Sequence, residues 1–228
     1  MVRRVLPGNP PVDILLRPSA RARRLSLRVS GIDGRVTVSY PLHASERQAM
    51  AFAMEKADWI RGQLARRPDV VAVGPGVAVP VEGRWLTVEA GTGRGVKVEE
   101  GRLVAPAGRP GAAVGAFLRA LARERLAEAS DRHAAVLGRG FGRLTLRDTR
   151  SRWGSCSAAG DLMYSWRLVM APPEVLDYVA AHEVAHLAHM HHGPAFWAEV
   201  RRLYGDHRAA RGWLRREGGA LHRFRFGD

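Results

Sequence analysis

The sequence has one cysteine, almost no lysine and no long apolar run, and each shortage removes a class of protein. Cys156 stands alone, so no internal disulfide can form, and the chain reads as a resident of a reducing compartment. No stretch of about 18 apolar residues occurs, which removes a membrane span. The opening Met1-Val2-Arg3-Arg4-Val5-Leu6-Pro7 lacks the apolar centre of a secretion signal. The expectation is a cytoplasmic protein with no membrane partner. Of the 36 lysines and arginines only Lys56 and Lys97 are lysine, and the net charge is +14. Such a balance draws a protein toward nucleic acid or other anionic partners. The arginines are spread along the chain, however, with no RNP, zinc-finger or helix-turn-helix pattern. Charge alone supports only non-specific nucleic-acid contact through a basic surface.

What is present is enough apolar residue, 46% of 228, to bury one large core or two small ones. From Val12 to Tyr40 apolar and polar residues alternate as in half-buried strands, with Gly31 to Gly34 as a hairpin loop. Ser45 followed by Gln48 is a capping box. Ala49, Phe52, Ala53, Ala57, Ile60 and Leu64 give the helix that follows one apolar face. Val77–Val81 with Trp85–Glu89, and Val96–Val98 with Arg102–Ala105, read as strand pairs, and no repeat is evident. A Pro/Gly-rich joint follows at Pro106 to Gly111. Beyond it a helix runs from Ala112 to Leu137, stopped by Gly138 and Gly140. Arg143–Arg147 is a strand, and Arg152–Ser157 with Leu162–Leu168 is a hairpin. The expected class is α+β. A mostly-β subdomain with one inserted helix covers residues 1–105, and a small sheet packed on helices covers residues 106–228.

Residues 182–192 read His-Glu-Val-Ala-His-Leu-Ala-His-Met-His-His. His182-Glu183-x-x-His186 is the spacing that zinc hydrolases use. Positions i and i+4 lie on one helix face, about 6 Å apart along the axis. Two imidazoles there can share one zinc at about 2.0–2.1 Å per bond. Glu183 follows the first histidine, so it can act on a water at the metal without being a ligand. A metal-activated water beside a carboxylate base is a hydrolytic site, and the reading is one zinc per chain and cleavage of amide bonds. The context agrees. Pro172-Pro173-Glu174 suits a helix start, and Val175, Leu176, Val179 and Val184 form an apolar stripe. Three ligands in a row up one helix do not make a tetrahedron, so the chain must turn back to supply the third. His189, His191 and His192 are the choices. Gly193-Pro194 marks the turn before a new helix, Ala195–Leu203. The residues alone do not decide among the three.

His182-Glu183-Val-Ala-His186-Leu-x-x-Met190-x-His192-x-x-x-Phe196-Trp197 resembles the YgjP-like metallopeptidases, relatives of the SprT-like zinc proteases. The resemblance takes in Ser151-Arg152-Trp153-Gly154-Ser155-Cys156-Ser157, Ser165-Trp166-Arg167-Leu168 and Val175-Leu176-Asp177-Tyr178-Val179. It also takes in Arg23-Arg24-Leu25-Ser26-Leu27-Arg28-Val29 and Glu55-Lys56-Ala57-Asp58-Trp59-Ile60. It implies a zincin-like domain, a zinc-dependent peptidase acting on peptide or protein, and His192 as third ligand. The family more often has asparagine where His191 and Ser165 stand.

Several other residues have both a functional and a plainer role open to them. Tyr164, Tyr178, Tyr204, His207 and Arg208 are candidates to hold the oxyanion, each also suited to core or surface. Cys156 could be a nucleophile or a fourth zinc ligand, but a lone cysteine is more often a small buried hydrophobe. Trp153, Trp166, Phe196 and Trp197 read as core. A peptide would lie along an edge strand, with 153–157 the expected one. The competing function classes are a nucleic-acid-associated protein of the SprT-like kind and a non-peptidase zinc amidohydrolase. Substrate, cleavage preference and oligomeric state have no signature in the sequence.

Overall fold

The computed structural model describes residues 1–31, 33–65 and 69–227. Ile32, in the expected hairpin loop, lies outside them. The chain forms two compact units, Met1–Asp69 and Val70–Asp228.

In the first unit, β1 (Val2–Leu6), β2 (Val12–Pro18), β3 (Ser26–Val29) and β4 (Val36–Tyr40) form a sheet in the order β1-β2-β4-β3. The outer pairs are antiparallel and the central β2/β4 pair is parallel. Alternation sends Ile14, Leu16, Val36 and Val38 to one buried face. There they share a core with Ala49 and Ala53 of α1 (Glu46–Glu55) and Ile60 of α2 (Ala57–Ala65). The capping box forms as expected. Gln48 N–H donates to Ser45 Oγ at 3.2 Å and Ser45 N–H to Gln48 Oε1 at 2.8 Å, a device worth about 1 kcal/mol. The one expected helix is two segments. Lys56 leaves helical geometry at φ −97°, ψ 15°, yet the Ile60 N–H still donates to Lys56 O. Ile60 therefore stays buried, as Ala53 is.

In the second unit, β5 (Val71–Ala72) pairs with the terminal strand β13 (Phe224–Arg225). A four-stranded sheet follows: β6 (Ala78–Val81), β7 (Arg84–Gly91), β8 (Lys97–Glu99) and β9 (Arg102–Pro106), in the order β6-β7-β9-β8. Its outer pairs are antiparallel and its central pair parallel. This is the topology of the first sheet over again, a repeat of architecture that the residue pattern does not display. The long helix α3 (Pro110–Leu137) follows, burying Val114, Leu118, Ala122, Leu126 and Ala129 at helical spacing. It ends at Gly138, whose φ of 74° is left-handed. Val79, Val81, Leu86, Val88, Leu103 and Ala105 belong to the same core as α3. The compact units therefore divide at Asp69–Val70, not at the expected 105/106. The Pro/Gly-rich stretch is a turn inside one core.

A three-stranded sheet completes the frame. β10 (Leu144–Arg147), β11 (Gly154–Cys156) and β12 (Leu162–Ser165) lie in the order β10-β12-β11, leaving β11 at an edge. A 3-10 turn, Trp166–Met170, leads to α4 (Pro173–Ala185), then α5 (Pro194–Tyr204), α6 (Arg208–Arg216) and a 3-10 turn, Gly218–Arg223. Arg167 explains much of the Trp166-Arg167 signature. Its buried guanidinium donates to both oxygens of Asp148, at 2.7 and 3.0 Å, and to Leu221 O and Phe224 O. Cutting one partner of such a buried pair costs about 3–5 kcal/mol, so Arg167 ties the C-terminal segment to the sheet. The architecture is α+β, and no helix among the described residues is long and apolar enough to cross a membrane.

Candidate metal centre

α4 is buried on most of its faces. Val175, Leu176, Val179, Ala180, Ala181, Val184 and Ala185 are all buried, and it packs against α3, α5, α6 and β11. Small alanines let those neighbours approach, and such a helix holds its polar side chains rigidly. His182 lies in its last turn and His186 is its C-cap residue. The chain then tightens, with Leu187 N–H donating to Val184 O and Ala188 N–H to Ala185 O. It doubles back through Gly193, where Gly193 N–H donates to His191 O at 2.7 Å.

The return brings His192 to the pair. His182, His186 and His192 each offer one ring nitrogen, and these atoms lie within 4.8 Å of one another. His182 Nε2 and His192 Nε2 are 3.1 Å apart. Two imidazole nitrogens that close must share a proton or a cation, and ligands on one tetrahedral zinc sit about 3.3 Å apart. His186 Nδ1 is 3.0 Å from His189 O. A carbonyl only accepts, so Nδ1 carries the proton and Nε2 keeps its lone pair. His189 thus contributes its backbone, and neither its ring nor that of His191 joins the group. Burial, followed by the charges of His186 and His192, lowers the His182 pKa to about 3. Burial also lowers that of His186. Neutral imidazoles are what a divalent transition metal needs. The donor set fits a metal ion. His182 Nδ1 is buried without a hydrogen-bond partner, as is His207 Nδ1 beside the site.

Phe196 forms the floor, fully buried and with its ring centre 4.4–4.9 Å from all three histidine rings. It excludes water from one side of the group. Trp197 lies 5.8 Å from His182 and His192.

Glu183 is 6% exposed and sits against β11. A Cβ added at Gly154 would come within 2.6 Å of its Cγ and Oε1. Trp153 O accepts from Ser165 N–H, and Ser157 N–H donates to Asp161 O. By the alternation of an antiparallel pair, Gly154 and Cys156 therefore direct their amides to the open edge. The Cys156 amide bonds to the Glu183 carboxylate. Burial raises the Glu183 pKa to about 8, against the opposing pull of Arg152 and that one amide.

The other weighed residues separate cleanly. Tyr164 is buried with its hydroxyl 3.1 Å from Ser130 Oγ. Tyr204 donates to Glu174 O, and Arg208 is taken by Asp206. Tyr178 and His207 are beside the site. Tyr178 packs edge-on to His182 at 6.0 Å, and His207 stacks on both Tyr178 and Trp197. Arg211, 4.9 Å over Trp197, was not among the candidates. Cys156 is not part of the metal-binding group among the described residues. Its thiol points to Ser157 O and is pushed up in pKa, first by burial and then by Glu183. Trp153 packs on His222 and Trp166 on Phe226, as core.

The sequence model of the YgjP-like metallopeptidase domain matches residues 23–217. The chain belongs to the YgjP-like metallopeptidase family. A YgjP-like metallopeptidase requires a metal ion and acts on peptide or protein, and the three-histidine group offers three ligand atoms close enough together to hold such an ion. Among solved structures, the metallopeptidase zymogen abylysin of Pyrococcus abyssi is similar over 41% of this chain and 92% of its own, at 21% identity and a TM-score of 0.36. No curated protein matches the chain.

Proposed function

We propose that His182, His186 and His192 hold one zinc ion, and that Glu183 serves as general base in the hydrolysis of peptide bonds. The observation that carries the reading is the close group of three imidazoles, His182 and His186 pushed toward the neutral form by burial, with a carboxylate, Glu183, next to His182 on the same helix. Zinc, when bound, supplies Lewis acidity toward water and toward a peptide carbonyl. The chain supplies the rest. His189 O fixes the His186 ring so that Nε2 is the ligating atom. Phe196 keeps water from behind the imidazoles. Glu183, shielded and holding one backbone amide, accepts the proton of the attacking water and returns it to the departing amine. A substrate segment lies along the open edge of β11, beside Glu183. His192 is exposed, so the group opens to solvent, which suits a polypeptide better than an enclosed small amide. The lone cysteine fits action in the cytoplasm.

The test is metal analysis of the purified protein joined to a casein digest. About one zinc per chain is expected, with digestion stopped by a chelator and restored by zinc. His192→Ala should lose most of that zinc while His191→Ala keeps it. Equal losses at both positions would mean that the third donor is misassigned.

A further inference from the structure

The three-stranded sheet has a second face that the reaction does not use. Thr145, Met163 and Ser155 form one row across β10, β12 and β11. That row looks away from the core in which Leu162 and Tyr164 are buried. Over it lies a cavity of about 550 Å³, lined by Arg143, Arg147, Arg152, Thr145, Thr149 and Ser155 among others. Its polar groups are guanidiniums and hydroxyls with one carboxylate, Asp161, set among the apolar side chains of Leu162 and Met163. The Asp161 carboxylate is already engaged, its Oδ1 accepting from the Arg143 amide at 2.8 Å. Arg143 is its weak ion-pair partner at 3.9 Å. Arg147 and Arg152 make no ion pair or side-chain hydrogen bond among the described residues. A depression with two guanidiniums that hold no hydrogen-bonded partner among the described residues, Arg152 acting on Glu183 only at a distance, has a chemistry: it receives carboxylates, in paired hydrogen bonds.

Its position gives the carboxylates a source. Ser155 lines the cavity, while its neighbours Gly154 and Cys156 meet Glu183. Arg152 acts electrostatically on Glu183. A strand laid along β11 turns successive side chains to opposite faces, at about 3.3 Å per residue. A side chain within a few residues of the bond over Glu183 therefore reaches the arginines. We infer that this cavity is a specificity pocket that selects polypeptide substrates with aspartate or glutamate close to the cleaved bond. The inference rests on the peptidase reading above and names the substrate class of that site.

The experiment uses the full chain loaded with zinc and two fluorogenic peptide pools. The pools are identical except that one carries Asp and Glu where the other carries Asn and Gln. Wild type should cleave the acidic pool about tenfold faster, the scale of one charge-assisted hydrogen-bonded contact. The ratio should fall to about one in the double variant Arg147→Ala, Arg152→Ala. It should survive in Arg94→Ala, an exposed arginine outside the cavity. Both arginines are exposed, and an unchanged melting temperature shows that the double variant folds. A ratio of one in wild type, or a ratio that persists without the two arginines, overturns the inference. Failure of the peptidase reading looks different: neither pool is cleaved. Binding of the same pools by fluorescence anisotropy then decides. Tighter binding of the acidic pool, lost with the two arginines, supports the pocket, and equal binding of the two pools overturns it. A single-stranded DNA oligomer that binds more tightly than the acidic pool through the same arginines would overturn the peptide assignment.

Discussion

Helix α4 carries two carboxylates that its surroundings treat in opposite ways. Burial pushes both toward the neutral form. At Asp177 that push is outweighed by the hydrogen bond to His133 Nε2 at 2.7 Å and by the charges of His133 and Arg132, and its pKa ends below the usual range. At Glu183 one backbone amide and the nearby Arg152 offset burial only in part, and the pKa stands at about 8. The helix and the chemistry are shared, so the difference lies in the neighbours. A carboxylate supplied with partners is a staple between α3 and α4. A carboxylate denied them keeps a raised pKa, the kind of perturbation that marks functional sites, and Glu183 is the one the proposed reaction uses.

The largest break in this comparison comes from removing the cation that Glu183 is proposed to serve. His186→Ala leaves two nitrogen donors, which hold zinc poorly, and both metal and hydrolysis should be lost. Full metal content in that variant would contradict the account. Moving the base without touching the donors comes next. Gly154→Ala puts a methyl against Glu183 Oε1 and should cost on the order of 10²-fold in turnover with zinc retained, the penalty for a misplaced catalytic group. Unchanged turnover would mean that Glu183 need not sit against β11.

The staple should answer in stability. Asp177→Ala leaves the buried His133 without its partner and should cost about 1–3 kcal/mol, read by denaturant unfolding, with metal content unchanged. Because the folded pKa of Asp177 is lowered from 3.8, its contribution is present above that value and fades as pH falls through the folded pKa. The gap between wild type and variant should therefore close in acid, and a gap that persists there would contradict the pairing. The smallest effect belongs to His189→Ala. Its backbone carbonyl, not its ring, holds His186, so metal content and turnover should stay within about twofold.

The sequence carried the parts of this picture that depend on side-chain identity at fixed spacing. The His182/His186 pair, the Ser45–Gln48 cap and the Gly138 stop of α3 each rest on one local pattern, and each has its expected geometry. His192 came from resemblance, since the turn at Gly193-Pro194 left three histidines open. What could not be read depends on backbone. The Cys156 amide on Glu183 and the His189 carbonyl on His186 have no residue signature. The expected boundary at 105/106 rests on Pro106–Gly111, and proline and glycine mark a turn equally inside a core and between cores, whereas the compact units divide at Asp69–Val70. β1 lacks a clean alternation, its Arg3 and Arg4 both lying exposed. Arg147 and Arg152 were two arginines among many until the sheet put them over one cavity.

The central claim is that Glu183 acts on the reaction and not on the metal. Zinc content and casein hydrolysis, measured on the same preparations of wild type and Glu183→Gln, test it most directly. The account predicts about one zinc per chain and an unchanged fold in both, with hydrolysis in the variant reduced by roughly 10²–10⁴-fold, the share that general-base catalysis supplies. A variant that keeps its zinc and digests casein at the wild-type rate would contradict it.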